Sequence, residues 1–332
     1  MNKQSSEQLK GIAILLVVFG HLFVTKFINS SNVAFAYLGA QGVAIFLILS
    51  GYGMTTSFLI KGMNKGFLVR RMRTVLLPYS LVTLLWFMYD YSNGKMYPIK
   101  TIMLSLSGFD FKLTMDATMW YISFILIWYL YFYLIFSLKL PNILKVGLLF
   151  GFAYLLRYHS RVDFTESVYW QWGLHAIMFP LGALFALVRL DNLSERIVNV
   201  GLSFVGFMGL GIYIINLKNN GLGLGPYMLS NLSFAIATVS LMIILERFGI
   251  YSRLLSFIGS ISFEIYLFEA VFMYKLCLPY VLPNKALSLS LYILVLVGSS
   301  IFLKKGVRFA LKVSTRSPSL NREDVQVQRL SS

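Results

Sequence analysis

Residues 9–24 read LKGIAILLVVFGHLFV, an apolar run that begins like a membrane helix yet carries Lys10 at one end and His21 near the other. Two readings compete for it. A cleaved secretory signal has a short cationic start, an apolar centre and a small-residue site, and Ala34, Phe35 and Ala36 follow downstream. A retained span fits better, because residues 33–60 form another long apolar run almost at once. On that reading the chain opens with two membrane helices.

The rest of the chain agrees. Of its 332 residues 58% are hydrophobic and 13% charged, with a mean hydropathy of +0.73, whereas soluble proteins are roughly half apolar and a quarter charged. A spanning helix needs about 20 mostly apolar residues. Ten runs meet that measure, at approximately 10–28, 34–60, 74–91, 118–138, 143–157, 169–188, 198–216, 226–245, 254–278 and 285–303. The fifth is short, and a tilted, broken or partly inserted segment stays open for it. The predicted fold is all-α, a polytopic membrane helical bundle of about ten transmembrane helices. Residues 92–117 form the longest loop between spans, and its middle, IMLSLSGF at 102–109, suits a short interfacial helix.

The net charge of +16 does not point to nucleic acid, because the cations sit in short loops between spans and in a tail rather than along one soluble face. They report orientation. With the N-terminus inside, 20 of the 29 Lys and Arg residues fall on inside segments, so both termini are expected to be cytoplasmic. The end of the chain from Ser314, STRSPSLNREDVQVQRLSS, is polar and low in aromatics, which predicts a membrane domain over 1–313 and a disordered cytoplasmic tail over 314–332. The single Cys277 excludes an internal disulfide framework and a multi-thiolate metal site. Three histidines far apart in sequence leave little for metal, and none is expected.

Four stretches carry polar groups worth attention. Lys10 and His21 are eleven residues apart, about 1100° of helical rotation, so they share one stripe to within roughly 20° over a rise of about 16 Å. Lys10 would lie at the cytoplasmic interface and snorkel there, with His21 past the bilayer midplane. Intramembrane ionisable groups face a bundle interior or a water-filled path and are functional candidates; the bland alternative is a histidine hydrogen-bonded to a neighbouring helix. Ser50 and Gly51 in GVAIFLILSGYGM, residues 42–54, permit close helix approach. Arg70, Arg71 and Arg73, in NKGFLVRRMRTVLLPYS at 64–80, admit both a topology signal and a phosphate site. Trp120, Tyr121, Tyr129 and Tyr131 suit an aromatic belt or a packed span. Glu264 and Glu269, in SFIGSISFEIYLFEAVF at 256–272, are carboxylates that are expensive in an apolar helix without partners. Glu269 lies at a depth similar to that of His21.

Taken in this order, over about residues 8–303, these stretches resemble the integral-membrane acyltransferase family 3, bacterial O-acyltransferases that modify surface glycans. Lys10 and His21 match its Arg or Lys, ten residues, then His. Phe46, Ser50, Gly51 and Tyr52 match F-x-x-x-S-G-[FY]; Arg70 and Arg73 ahead of Pro78 match an Arg-x-x-Arg before proline; Trp120 and Tyr121 match a Trp-Tyr or Trp-Phe pair. Ser262, Phe263, Ile265, Tyr266 and Leu267 match S-[YF]-x-I-Y-L-x-H, except that Glu269 stands where the family often has His.

The resemblance implies a multi-pass O-acetyltransferase of the bacterial cytoplasmic membrane. It would move an acetyl group from cytoplasmic acetyl-CoA to a sugar hydroxyl of a cell-surface or exported polysaccharide, the acceptor being a carbohydrate or lipid-linked glycan. The implied roles are His21 as general base with Glu269 orienting it, Lys10, Arg70, Arg73 and Ser50 on the donor, and Trp120, Tyr121 and Tyr266 on the acceptor. A proton-coupled exporter of an acyl or small glycan compound, its path lined by His21, Glu264 and Glu269, is the rival reading, and a glycan polymerase or flippase is a third. The cytoplasmic arginines coupled to the Lys-to-His helix favour the enzyme, since a transporter does not require them.

Overall fold

The computed structural model describes residues 1–28, 34–64, 66–160, 168–188, 194–218 and 224–315. The apolar runs fold as helices because lipid offers no partner to backbone N–H and C=O groups, which must be satisfied within the segment. In chain order these are α1 (Lys3–Val24), α2 (Ala34–Lys61), α3 (Phe67–Ser92), the short α4 (Ile99–Ser107), α5 (Trp120–Phe136), α6 (Asn142–His159), α7 (Val168–His175), α8 (Met178–Leu187), α9 (Glu195–Lys218), α10 (Leu224–Arg247), α11 (Arg253–Ser260), α12 (Ser262–Tyr274) and α13 (Lys285–Thr315). Among the described residues there is no strand. The protein is an all-α, multi-pass membrane bundle.

Among the described residues, eight helical segments are long and apolar enough to cross a membrane, or nine if α11 and α12, which meet at 70°, make one bent span. Two of the ten expected runs depart from a straight, uniformly apolar span. α6 falls short: its 18 residues begin at Asn142, end at His159 and include Lys145 and Arg157. It rises about 27 Å with a shorter apolar stretch than a core of roughly 30 Å asks. The run 254–278 is not a straight span, because the helix breaks at Ile261. There Lys304 of α13 donates to the Ser260 carbonyl, satisfying a backbone group at the end of α11. The run 169–188 is also two pieces, α7 and α8, joined through Ala176 and Ile177. α4 forms within the loop predicted to hold an interfacial helix. α13 continues as far as Thr315, and the remainder of the expected tail lies outside the described residues.

Small residues let the central helices touch. A Cβ on Gly51 would collide with the Phe179 carbonyl, and one on Gly182 with the Ile48 carbonyl, so α2 and α8 pack backbone to backbone. α1 crosses α11 in the same way, with Gly11 against Leu255 and Gly259 against Glu7. The core of α1, α2, α5 and α8 is filled by Leu9, Ile14, Phe124, Trp128, Phe132 and Phe179, all fully buried. α9 is the opposite case. Only 17% of its apolar window is buried, and Phe204, Phe207 and Met208 are exposed, a surface for lipid. Lys304 of α13 lies within Coulombic range of Glu7 and Lys10 of α1, so both described chain ends occupy the same end of the bundle.

Candidate active site

His21 occupies the last turn of α1, where it is carried to α12. Its Nδ1 lies 2.6 Å from Glu269 Oε1, with the His21 side chain 21% exposed and that of Glu269 fully buried. Residues 21 and 269 are joined because α1 packs along the bent pair, with its glycine contact to α11 at one end and this ion pair to α12 at the other. A carboxylate accepts Nδ1–H and fixes one tautomer, which leaves the Nε2 lone pair for a ligand.

That ligand has a place. A cavity of about 160 Å³ is lined by His21 together with Thr118, Trp120, Tyr121, His175 and Tyr266, among others, a wall that mixes aromatic and small apolar side chains with polar groups, as ligand sites do. Tyr266 is fixed by donating to the Thr118 carbonyl, and its ring meets that of Tyr121 at 5.6 Å. The wall is therefore built by α1, α5, α7 and α12 together. His175, at the break between α7 and α8, sits with Nδ1 2.9 Å from the Gln171 carbonyl and Nε2 3.1 Å from that of Ala40. Both partners are acceptors and a neutral imidazole carries a single N–H, so His175 donates to one of the two carbonyls; with each ring nitrogen turned to backbone, its place is to pin α7 to α2.

The other expected site residues divide. Ser50 lies beside the hydroxyls of Tyr121 and Tyr129, and Tyr129 lies within Coulombic range of Arg71, as does Lys10. A polar track thus leads from Lys10 and Arg71 at the end where the chain begins, through Tyr129 and Ser50, to Tyr121 on the cavity wall. Arg70 and Arg73 are not on it. Both are exposed, and Arg70 spends its Nη2 on Asn64 Oδ1 at 2.7 Å. Arg71 lies about 100° and 160° around the helix from them. It is half-buried, its guanidinium over the Phe67 ring at 5.9 Å. Glu264 is apart from the His21 pair, within Coulombic range of Lys304 and Arg308.

Asp116, unmarked in the sequence beyond its place in a loop, lies within Coulombic range of His21, Glu269 and Tyr266. It caps the turn before α5, its Oδ1 accepting from Thr118 N and Oγ1 at 2.8 Å each. Burial pushes its carboxyl above the usual carboxylate range, against the pull of the Thr118 hydrogen bonds and of His21 and Lys275. Beyond it, Lys275 Nζ and Tyr97 OH both donate to Asp90 Oδ2 at 2.7 Å, closing α3 onto α12. Among the described residues no group of three or more His, Cys, Asp or Glu is arranged to hold a metal ion.

A family model of acyltransferase family 3, described as an acyltransferase domain, matches residues 4–304, nearly the whole helical bundle. The chain belongs to that family. No curated protein and no solved structure matched it. As a membrane acyltransferase it has, in the cavity beside His21, a place among the described residues where a partly buried basic nitrogen, a carboxylate partner and aromatic side chains converge. Arg71, His175 and Asp116 carried signals that were legible only in part. His175 is an ionisable group inside an apolar run, as His21 is, whereas the inward turn of Arg71 depends on the register of α3 against its neighbours.

Proposed function

We propose that this acyltransferase moves an acetyl group from cytoplasmic acetyl-CoA to a sugar hydroxyl of a surface or exported polysaccharide, with His21 as general base. The observation that carries the reading is the 2.6 Å pair of His21 and Glu269, with His21 on the wall of a cavity that Trp120, Tyr121 and Tyr266 also line. The donor fits what leads to that cavity. Lys10 and Arg71 suit its phosphates by charge-assisted hydrogen bonds, and the hydroxyls of Tyr129, Ser50 and Tyr121 suit the amides of its arm. The rise of about 16 Å from Lys10 to His21 is comparable to an extended pantetheine.

In the transfer, the acceptor hydroxyl gives its proton to His21 Nε2 as its oxygen bonds to the acyl carbon. The carbon–sulfur bond breaks, and His21 passes the same proton to the departing thiolate, so no net proton is gained or lost. Glu269 holds the Nδ1–H tautomer and stabilises the transient imidazolium, as a carboxylate does in other histidine-based sites. The cation distribution puts the Lys10 end in the cytoplasm, where the donor is available, in a bacterial cytoplasmic membrane.

The test is purified protein in detergent with radiolabelled acetyl-CoA and candidate envelope glycans. Label moving to glycan supports the reading; uptake of label into vesicles without any transfer supports an exporter instead.

A further inference from the structure

Two carboxylate oxygens near His21 are buried and have no hydrogen-bond partner among the described residues: Glu269 Oε2 and Asp116 Oδ2. Glu269 is already committed to His21 through its other oxygen. Asp116 is not committed to any cation at hydrogen-bond distance, although part of the residue is exposed. Its Oδ1 is taken twice by Thr118, which fixes the carboxylate plane, and Thr118 itself lines the cavity. A buried carboxylate oxygen without a donor costs free energy, and this one is fixed two residues before the cavity-lining Thr118 and within Coulombic range of His21, a position at which a ligand entering beside Thr118 supplies the donor.

Resting on the acyl-transfer reading above, we propose that Asp116 is an acceptor-positioning residue: its Oδ2 accepts a hydrogen bond from a hydroxyl neighbouring the one that His21 deprotonates. The acceptor is thereby a vicinal diol on a sugar ring rather than an isolated alcohol. Trp120, Tyr121 and Tyr266 on the wall offer apolar faces to the C–H side of such a ring, while Asp116 and His21 take its polar rim. Lys10, Arg71, Ser50 and Tyr129 do not line this cavity, and Tyr121, beside Ser50, is where the donor track meets the acceptor wall.

The experiment uses full-length protein in nanodiscs, radiolabelled acetyl-CoA, and as acceptor probe the glycan-bearing envelope membranes of a strain lacking this protein, added in graded amounts. Asp116→Asn keeps an oxygen for Thr118 and Asp116→Ser keeps a helix cap, and both remove the free carboxylate oxygen. Each should raise the amount of acceptor needed for half-maximal transfer about tenfold or more, the loss expected of a hydrogen bond to a charged group. The acetyl-CoA needed for half-maximal rate, and thioester hydrolysis without acceptor, should stay within about twofold of wild type. Asp116→Glu, which restores a carboxylate, should recover part of the loss. Unchanged acceptor dependence in both variants overturns the proposal, as does an equal loss of acceptor-free hydrolysis, which would make Asp116 a general structural support. Failure of the wild type itself to label the membranes overturns the acyl-transfer reading, a distinct outcome.

Discussion

The pairing of His21 with Glu269 makes a definite demand on each residue. Glu269→Gln keeps the shape and one acceptor oxygen but gives up the charge that stabilises an imidazolium. Its amide can also donate to Nδ1 and so select the tautomer that blocks Nε2. Transfer should fall about a hundredfold or more with little change in the acetyl-CoA dependence, the size that a positioned acid–base group contributes, as read from initial rates. On the donor side, Arg71→Ala should raise the half-saturating acetyl-CoA about tenfold, whereas Arg70→Ala and Arg73→Ala should change it less than about twofold, since both side chains are exposed. Equal effects of all three would return the cluster to a general topology signal. The sequence was informative about His21 and Glu269 because charge inside an apolar run is costly wherever it occurs. Among the arginines the motif pointed to Arg70 and Arg73, whereas Arg71 is the one packed inward, because which of them faces the bundle is set by helix packing that no local spacing encodes.

Among the elements, α2 and α8 depend on the absence of side chains at their crossing. Gly51→Val places methyl groups into the Phe179 carbonyl, and overpacking of this kind costs about 1–3 kcal/mol. The purified variant should unfold at a lower temperature, and lose transfer too, because Ser50 moves with the helix. The loop after α4 is held by Asp110, which accepts from Ser105 Oγ, Lys112 N and Thr114 N at 2.7, 3.1 and 3.0 Å. Burial alone would raise this carboxyl, but those hydrogen bonds outweigh it and hold it below its usual range. A carboxyl depressed on folding stabilises the fold above its unfolded value, near pH 3.9, and that stability is lost as pH falls through the lower folded value. Amide exchange in residues 108–116 should accordingly rise only in acid, and in Asp110→Ala it should be fast at neutral pH as well. Helix existence was legible from apolar run length. The breaks at Ile261 and at Ala176 were not, because a bent pair and a straight span have the same composition; tertiary contacts such as that of Lys304 with Ser260 go with the break.

For the whole molecule, the polar track and the cation bias give the bundle a direction. Lys10, Arg71 and Lys304 gather at one end, and Asp90, Tyr97 and Lys275 make an ion-paired cluster at the other. Cys277, exposed just after α12, belongs to the second end and is the only cysteine in the chain. Intact cells treated with a membrane-impermeant maleimide should label it, while a cysteine placed at Lys3 in a Cys277→Ser background should react only after lysis. The reverse pattern would put the donor track on the wrong side of the membrane for acetyl-CoA. The central claim is that one partly buried histidine, His21, does the chemistry. Its most direct test is acetyl transfer by purified His21→Ala protein that elutes as a single folded species and still binds acetyl-CoA. The account predicts transfer reduced at least about a hundredfold with donor binding retained; transfer at the wild-type rate would contradict it.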